Sequence, residues 1–382
     1  MPAAGLPRVL AVDDQPDDLR AQLKLGLGDR AIGEVLHPRE VELRHLEEAD
    51  LVLVDYLLTN WPERDAATLA MQPASGLALA VLLREHVDKS QQDRLTAFAL
   101  HSGHLEQVRG RLPATVGEHL IARLNNLEWA FPKGNGSRWD QMIVLAGAVR
   151  QLPRKWPPGD HAASEKEALK LLGLAEDASW FDRARRNVRA CQPPIHDLSG
   201  GAHGLLFVRW LLHQIMPYPS FLWREEWVAA RLRLTVASLR QITEEGAQLA
   251  SDLAAMTYGG VLGGFLGQRW WRAALEDFVW NLTNGRSVDI DTLHAALRER
   301  TKVALEALPA DASIVCLGAD FSPTGTFISA ADAVRLRPDQ WPTFADDAWT
   351  SVNLARADAF LGAIVDPIDD ARVTGSGVDS DG

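Results

Sequence analysis

Cysteine is almost missing from this chain: Cys191 and Cys316 are the only two in 382 residues. Two thiols cannot build a disulfide framework or a four-ligand zinc site, so a reducing, cytoplasmic setting is expected. Positive charge is also short. Lys and Arg number 39 against 51 Asp and Glu, a net charge of −12, and no Lys/Arg run is long enough to follow a phosphate backbone. That balance argues against nucleic acid as the main partner. Long apolar runs are missing as well: the glycine-punctuated stretch "LAAMTYGGVLGGFLG", beginning at Leu253, falls short of the roughly 18–20 residues that span a bilayer, and no membrane association is expected. The opening "MPAAGLPRVLAV" has neither the charged n-region nor the long h-region of a signal peptide and reads instead as an approach to a first strand. Walker A loops, HExxH helices, histidine-kinase boxes and diguanylate-cyclase motifs do not occur.

What is present is the composition of a folded protein, 47% hydrophobic and 24% charged, long enough for two or three domains. From the N-terminus, strand-like and helix-like patterns alternate. "RVLAV" (8–12) precedes "DDLRAQLKLGL" (17–27), "AIGEVL" (31–36) precedes "EVELRHLEE" (40–48), and "LVLVD" (51–55) precedes "GLALAVLLREHV" (76–87). "LTAFAL" (95–100) is followed by a helical stretch through about 125, and "LEWAF" (127–131) by "RWDQMIVLAGAVRQL" (138–152). Five strand–helix repeats predict a doubly wound parallel sheet with right-handed crossovers. Aliphatic runs without polar alternation, such as "LVLV", fit strands covered on both faces.

An unpartnered carboxylate inside such a strand would be costly, but at the strand's carboxyl end it opens onto the crevice where open α/β sheets bind ligands. Asp13 and Asp14 follow the first strand, Asp55 ends the third, Ser102 follows the fourth and Lys133 the fifth. In a flavodoxin-like order 2-1-3-4-5 these residues converge on one rim. Three crowded carboxylates call for a hard cation, and Mg²⁺ suits a site with few protein oxygens. Asp55 could then act as a nucleophile toward phosphorus, with Lys133 and the Ser102 hydroxyl holding phosphoryl oxygens.

With "VDD" (12–14), "LVDYLL" (53–58), "SG" (75–76), "HSGH" (101–104) and "FPKG" (131–134), residues 6 to 153 resemble the receiver domains of bacterial response regulators. The resemblance implies that Asp13 and Asp14 are a metal-binding acidic pair, that Asp55 is the phospho-acceptor and that the Leu57 carbonyl is a metal ligand. It further implies that Ser102 is the hydroxyl switch position, that Lys133 pairs with phosphate, and that a histidine kinase or phosphotransfer protein is the donor. Some features depart from the family. Residues 59–74 are a longer loop than usual, read either as a lid or docking loop or as a surface insertion. Ala130 replaces the usual aromatic switch residue, between Trp129 and Phe131, and Lys133 is followed by Gly134 and preceded by Pro132.

A proline-, glycine- and polar-rich break follows "RQLPRKWPPGDHAASEKE" (150–167), which divides the chain into a receiver-like domain (1–153), a mainly helical output domain with a few short strands near its end (154–373) and a small polar tail (374–382). Helical spacing is read at 203–216, 224–256, 268–282 and 290–308, and Ser164 with Glu167 forms a capping-box pattern. Ten of the thirteen tryptophans lie from Trp156 onward, which implies a substantial core there. No basic recognition helix appears, and the output is expected to be contact with an unknown downstream protein, with a homodimer as a further option.

Three stretches in this region stand apart. "PPIHDLSGGAHG" (193–204) offers His196, Asp197 and His203 either as a catalytic or metal-binding loop of a receiver-gated enzyme or as a capped tight turn. "YGGVLGGFLGQRWW" (258–271) suggests close helix packing or a contact between copies. "SIVCLGADFSPTGTFISAADAVRLRPDQWPTFADDAW" (313–349) reads as one or two strands and an Asp- and Trp-rich loop, either solvated or an acidic docking surface.

Overall fold

The computed structural model describes residues 5–61, 73, 75–90, 94–110, 117–134, 138–244, 249–286, 289–301 and 304–375. By contacts these fall into two compact units. The first comprises residues up to Gly173 with Pro193–Pro217 and Gly259–Leu266, and the second comprises Leu174–Gln192, Tyr218–Tyr258 and Gly267 onward.

The first unit is built on five parallel strands, β1 (Arg8–Val12), β2 (Ile32–Leu36), β3 (Leu51–Val54), β4 (Ala97–Ser102) and β5 (Trp129–Pro132), in the order β2-β1-β3-β4-β5. All four pairings are parallel. This is the order expected of a flavodoxin-like sheet, and each of the four returns is made by a crossover: α1 (Pro16–Leu27), α2 (Leu43–Glu48), α3 (Gly76–Lys89), then α4 (Leu105–Arg109) with α5 (Glu118–Leu124); α6 (Trp139–Gln151) follows β5. Strand residues alternate between two covered faces. Leu10, Val12, Val52, Val54, Phe98, Leu100 and Ala130 join Leu79, Leu83 and Val87 of α3 and Ile121 of α5 in one core. Trp129 and Phe131, pointing the other way, meet the ring of Phe265 edge-on at 4.9 and 6.3 Å. Residues from well beyond α6 therefore help to cover the second face of the sheet.

Glu128, fully buried just before β5, ties this unit together. Its carboxylate accepts from the Phe98 backbone N–H (2.5 Å) and from Nε of Arg209 (2.6 Å), and lies 3.5 Å from the Arg84 guanidinium. The Glu128 carbonyl accepts from Nε2 of buried His213 at 3.0 Å.

Beyond residue 154 several expectations shift in detail. Ser164 does not open a helix. The helix His161–Leu171 starts earlier, capped by Asp160 accepting from the Ala163 N–H at 2.9 Å, and Ser164 donates its hydroxyl to the Pro157 carbonyl. The 224–256 pattern is broken into helices Glu225–Leu232, Val236–Thr243 and Ala250–Ala255, because Arg233 takes a left-handed conformation (φ 58°) and ends the first. In 258–271 no helix forms. Gly260 lies so near the Leu172 backbone that a Cβ there would come within 2.4 Å of it, so the small residue does serve close approach, but to a helix end rather than between two helices.

In the second unit, helices Phe181–Ala190, Arg272–Leu282 and Ile290–Thr301 accompany short two-stranded sheets, with the pairs Ala312–Leu317/Pro323–Ser329 and Ala333–Leu336/Ala348–Ser351 near the end. The Asp- and Trp-rich loop is not a solvated acidic surface throughout. The Asp346 carboxylate accepts from Arg272 (2.7 Å) and Trp223 (3.1 Å), and its carbonyl accepts from the Trp341 indole. Both cysteines are buried and neither is in a disulfide. No described helix is long and apolar enough to cross a membrane. Residues 376–382 of the polar tail lie outside the described residues.

Removing one partner from a buried charge network leaves the others uncompensated, at a cost of about 3–5 kcal/mol. Glu128→Ala is expected to destabilise the protein by that amount in urea unfolding, while a surface control, Glu34→Ala, leaves the midpoint in place. A pH dependence follows from His101 and His213. Burial pushes His101 down to about 3, with the Lys133 charge adding to the effect, and burial pushes His213 down to about 4. Below the ordinary histidine value of about 6.5 the unfolded chain takes up protons that the fold refuses. Stability should thus be full above that value and fall progressively as pH drops toward 4, as read from denaturation midpoints across the range.

Candidate functional site

The carboxyl ends of β1, β3 and β5 deliver their polar residues to one place. Backbone pairing sets this up: the Asp13 N–H donates to the Leu36 carbonyl (3.1 Å) and the Asp55 N–H to the Val12 carbonyl (3.0 Å), so both acids leave the sheet at the same level. One carboxylate oxygen from each of Asp13, Asp14 and Asp55 lies within 4.8 Å of the others, the one such group that could hold a metal among the described residues. Lys133 reaches into the group, its Nζ 2.6 Å from Asp13 Oδ2 and 2.6 Å from Asp55 Oδ2. Fixed backbone donors orient the acids. Asp13 accepts from the Gln15 N–H (2.8 Å), Asp55 from the Tyr56 N–H (2.7 Å), and Asp14 from the Asn60 N–H. A cavity of about 320 Å³ opens over them, with Leu57, Thr59 and His104 also on its wall.

The "SG" before α3 has a steric reason. Ser75 caps the helix by accepting from the Leu77 N–H at 3.2 Å, and the Gly76 N–H donates to the Tyr56 carbonyl at 2.8 Å. A Cβ at residue 76 would fall 1.7 Å from the Asp55 carbonyl oxygen. Only glycine lets the helix start rest on the backbone of the acidic residue.

Burial raises the Asp55 carboxyl above the ordinary carboxylate range, and the neighbouring Asp13 adds to the rise, while Lys133 opposes both. The ion pairs therefore offset only part of the desolvation.

Ser102 is placed differently from the other expected residues. It is buried at the end of β4, its Oγ accepts from the His104 N–H at 3.1 Å, and the cavity wall is formed by Gly103 and His104 instead. No family model and no curated protein matches this chain.

His196, Asp197 and His203 are not brought together as a shared ligand set. His196 is exposed on the short helix Ile195–Ser199, with its ring 5.2 Å from that of His161. The Asp197 carbonyl closes the turn by accepting from the Ala202 N–H at 2.9 Å. His203 accepts from the Leu205 N–H through Nδ1 at 3.4 Å. The loop turns tightly here, without the Asp or Ser cap expected: Pro194 and Gly204 stand at the helix starts and neither start has a side-chain cap. Of the 59–74 loop, Trp61 is buried edge-on against His37 with centroids 5.9 Å apart, and residues 62–72 and 74 lie outside the described residues.

Two features of the site escaped sequence reasoning. His101, one residue before Ser102, is fully buried and neither ring nitrogen has a partner among the described residues; the polar pair "HS" ending an apolar strand was its visible signal. His104 and Thr59 reach the cavity wall through loop geometry alone and carried none.

A carboxyl whose folded value is raised disfavours its own charge in the fold, so its unfavourable contribution is complete above the folded value and vanishes below the unfolded one. Asp55→Asn is therefore expected to raise the melting temperature at neutral pH in metal-free buffer, and the gain should shrink toward zero as pH approaches 4. A lower melting temperature for the variant at neutral pH would contradict this electrostatic account.

Proposed function

We propose that the chain is a response-regulator-like signalling protein with a flavodoxin-like receiver domain, accepting a phosphoryl group on Asp55 and passing the change to the rest of the chain. The observation that carries the reading is the convergence of Asp13, Asp14, Asp55 and Lys133 at the carboxyl ends of neighbouring parallel strands. In this reading a carboxylate oxygen of Asp55 attacks the phosphorus of a phosphorylated histidine on a kinase or phosphotransfer protein. The P–N bond breaks, the imidazole leaves with the electron pair, and an acyl phosphate remains on Asp55. Asp13, Asp14, Asp55 and the Leu57 carbonyl would hold Mg²⁺, whose chemistry there is to neutralise charge on the phosphoryl oxygens. The donor set suits a hard cation: three carboxylates gathered on an open cavity, with one lysine against them.

Lys133 is already paired with Asp55 and is placed to follow the new phosphoryl oxygens. Ser102 would have to turn from its contact with the His104 N–H to join them. Transmission has a short path. Phe131, two residues before Lys133, packs on Phe265, so a shift of the β5 end is felt by residues that lie beyond the receiver-like segment in the sequence. The output is contact with a downstream protein in the cytoplasm, with neither nucleic acid nor membrane as the target.

The test is the intact mass of wild-type and Asp55→Asn protein after incubation with acetyl phosphate or phosphoramidate, with and without Mg²⁺. The expected result is a gain of one phosphoryl group by the wild type in Mg²⁺, at least tenfold less without the ion, and none in the variant. A gain that persists in Asp55→Asn would sink the assignment.

A further inference from the structure

A second cavity lies at the amino-terminal ends of β4 and β5, on the rim opposite the acidic cluster. It encloses about 730 Å³, and five cationic side chains, Arg84, Arg94, Arg154, Lys155 and Arg209, border it against a single carboxylate, Asp88. In a chain of net charge −12 such a concentration of positive charge is conspicuous. The carboxylates behind the wall do not cancel it. Buried Glu128 is shared by the two guanidiniums of Arg84 and Arg209, and buried Asp50 by those of Arg94 and Arg150; Asp88 acts on Arg84 as well, and Lys155 adds to the surplus. Lys155 forms no ion pair among the described residues.

Trp156 lines the same cavity. Trp156 is 6% exposed, and its indole Nε1 is buried with no hydrogen-bond partner among the described residues. A buried indole N–H without an acceptor is costly, and of the four such groups among the described residues, those of Trp61, Trp129, Trp156 and Trp270, Trp156 is the one on the wall of this cavity. It faces the glycine-rich turn: a Cβ added at Gly204 would sit 3.2 Å from Nε1 and 2.9 Å from the Leu95 side chain. The absent Cβ at residue 204 thus keeps the turn from closing further on this donor, the Arg84 Nε is a second buried donor of the wall with no partner among the described residues, and Val87, Phe98 and Leu205 supply apolar surface.

We propose that this cavity binds a phosphorylated small molecule of nucleotide size. Lys155 would take the phosphate, joined by Arg154 in exchange for the contact it already makes, the surplus charge of the guanidinium clusters would hold it by long-range attraction, and the Trp156 N–H, uncovered by a small shift of the glycine-rich turn, would donate to an acceptor on the ring portion. The volume lies within the roughly 300–1,000 Å³ of small-molecule sites and far exceeds what one phosphate fills. The glycines of "LSGGAHG" are then wall residues of a binding site rather than the seat of catalysis. The inference is independent of phosphorylation at Asp55.

Calorimetric titration of the full chain in EDTA, which keeps Mg²⁺ from supporting phosphate binding at the acidic rim, would use pyrophosphate, AMP, ATP and adenosine as probes. A one-to-one isotherm is expected for AMP or ATP, tighter than for pyrophosphate or adenosine alone. Arg154→Ala/Lys155→Ala should weaken it at least tenfold, and Gly204→Ala should weaken it by filling the space. Trp156→Phe, which keeps the ring packing and removes the donor, should weaken it about 2- to 10-fold, the worth of one hydrogen bond. Melting curves of the variants check that each is folded. Absence of saturable binding by all four probes, or affinities that none of the folded variants changes, overturns the proposal, and pyrophosphate binding as tightly as ATP would reduce the site to a simple anion hole.

Discussion

Crowding of like charge at the end of a parallel sheet is the constraint around which the first unit is arranged. Asp13 and Asp14 are buried and Asp55 is half-buried, all three at the strand ends, where backbone N–H groups of the following turns donate to the carboxylates. Those donors, from Gln15, Tyr56 and Asn60, fix the acids in place. Lys133 supplies the charge that makes the arrangement tolerable without a metal. Its compensation is incomplete: burial and the neighbouring Asp13 still raise the Asp55 carboxyl. The Gly76 contact then sets α3 directly on the Asp55 backbone, so the acid and a principal helix of the core cannot move independently.

The two ends of the same sheet have opposite electrostatic character. At the amino-terminal rim the buried acids Asp50 and Glu128 are outnumbered by guanidiniums drawn from α3, α6, the Arg94 turn and Arg209. Both rims use buried charge, yet the acidic one relies on a single lysine whereas the basic one shares each carboxylate between two arginines. Planar, multidentate guanidiniums suit that sharing, because each can satisfy several acceptors from a fixed geometry.

Much of the site could be read from residue order. Strand-length aliphatic runs ending in Asp13, Asp55 and Lys133 determine which residues reach the rim, because side chains at strand ends have nowhere else to go. Ser102 shows where that logic stops. Its position at the end of β4 was legible, but its rotamer and its bond to the His104 N–H depend on how the following turn closes. The GxxxG-like spacing of 258–271 suggests packing between helices and serves another contact for a related reason: small residues signal close approach without saying to what, and here the partner is the Leu172 backbone. Phe265, in the same stretch, covers Trp129 and Phe131 from more than a hundred residues away, a contact that no local pattern encodes.

By itself, then, the amino-acid sequence determined the five-strand repeat, its parallel pairing and the residues gathered at its carboxyl rim, since these follow from local periodicity and from the short reach of each crossover. Only the tertiary structure decided how the buried charges are shared, which late segments complete the sheet's second face, and that a basic cavity with an unused indole donor lies at the opposite rim. Such features arise where segments distant in sequence meet, and their energetics depend on distance and desolvation that composition and spacing do not carry.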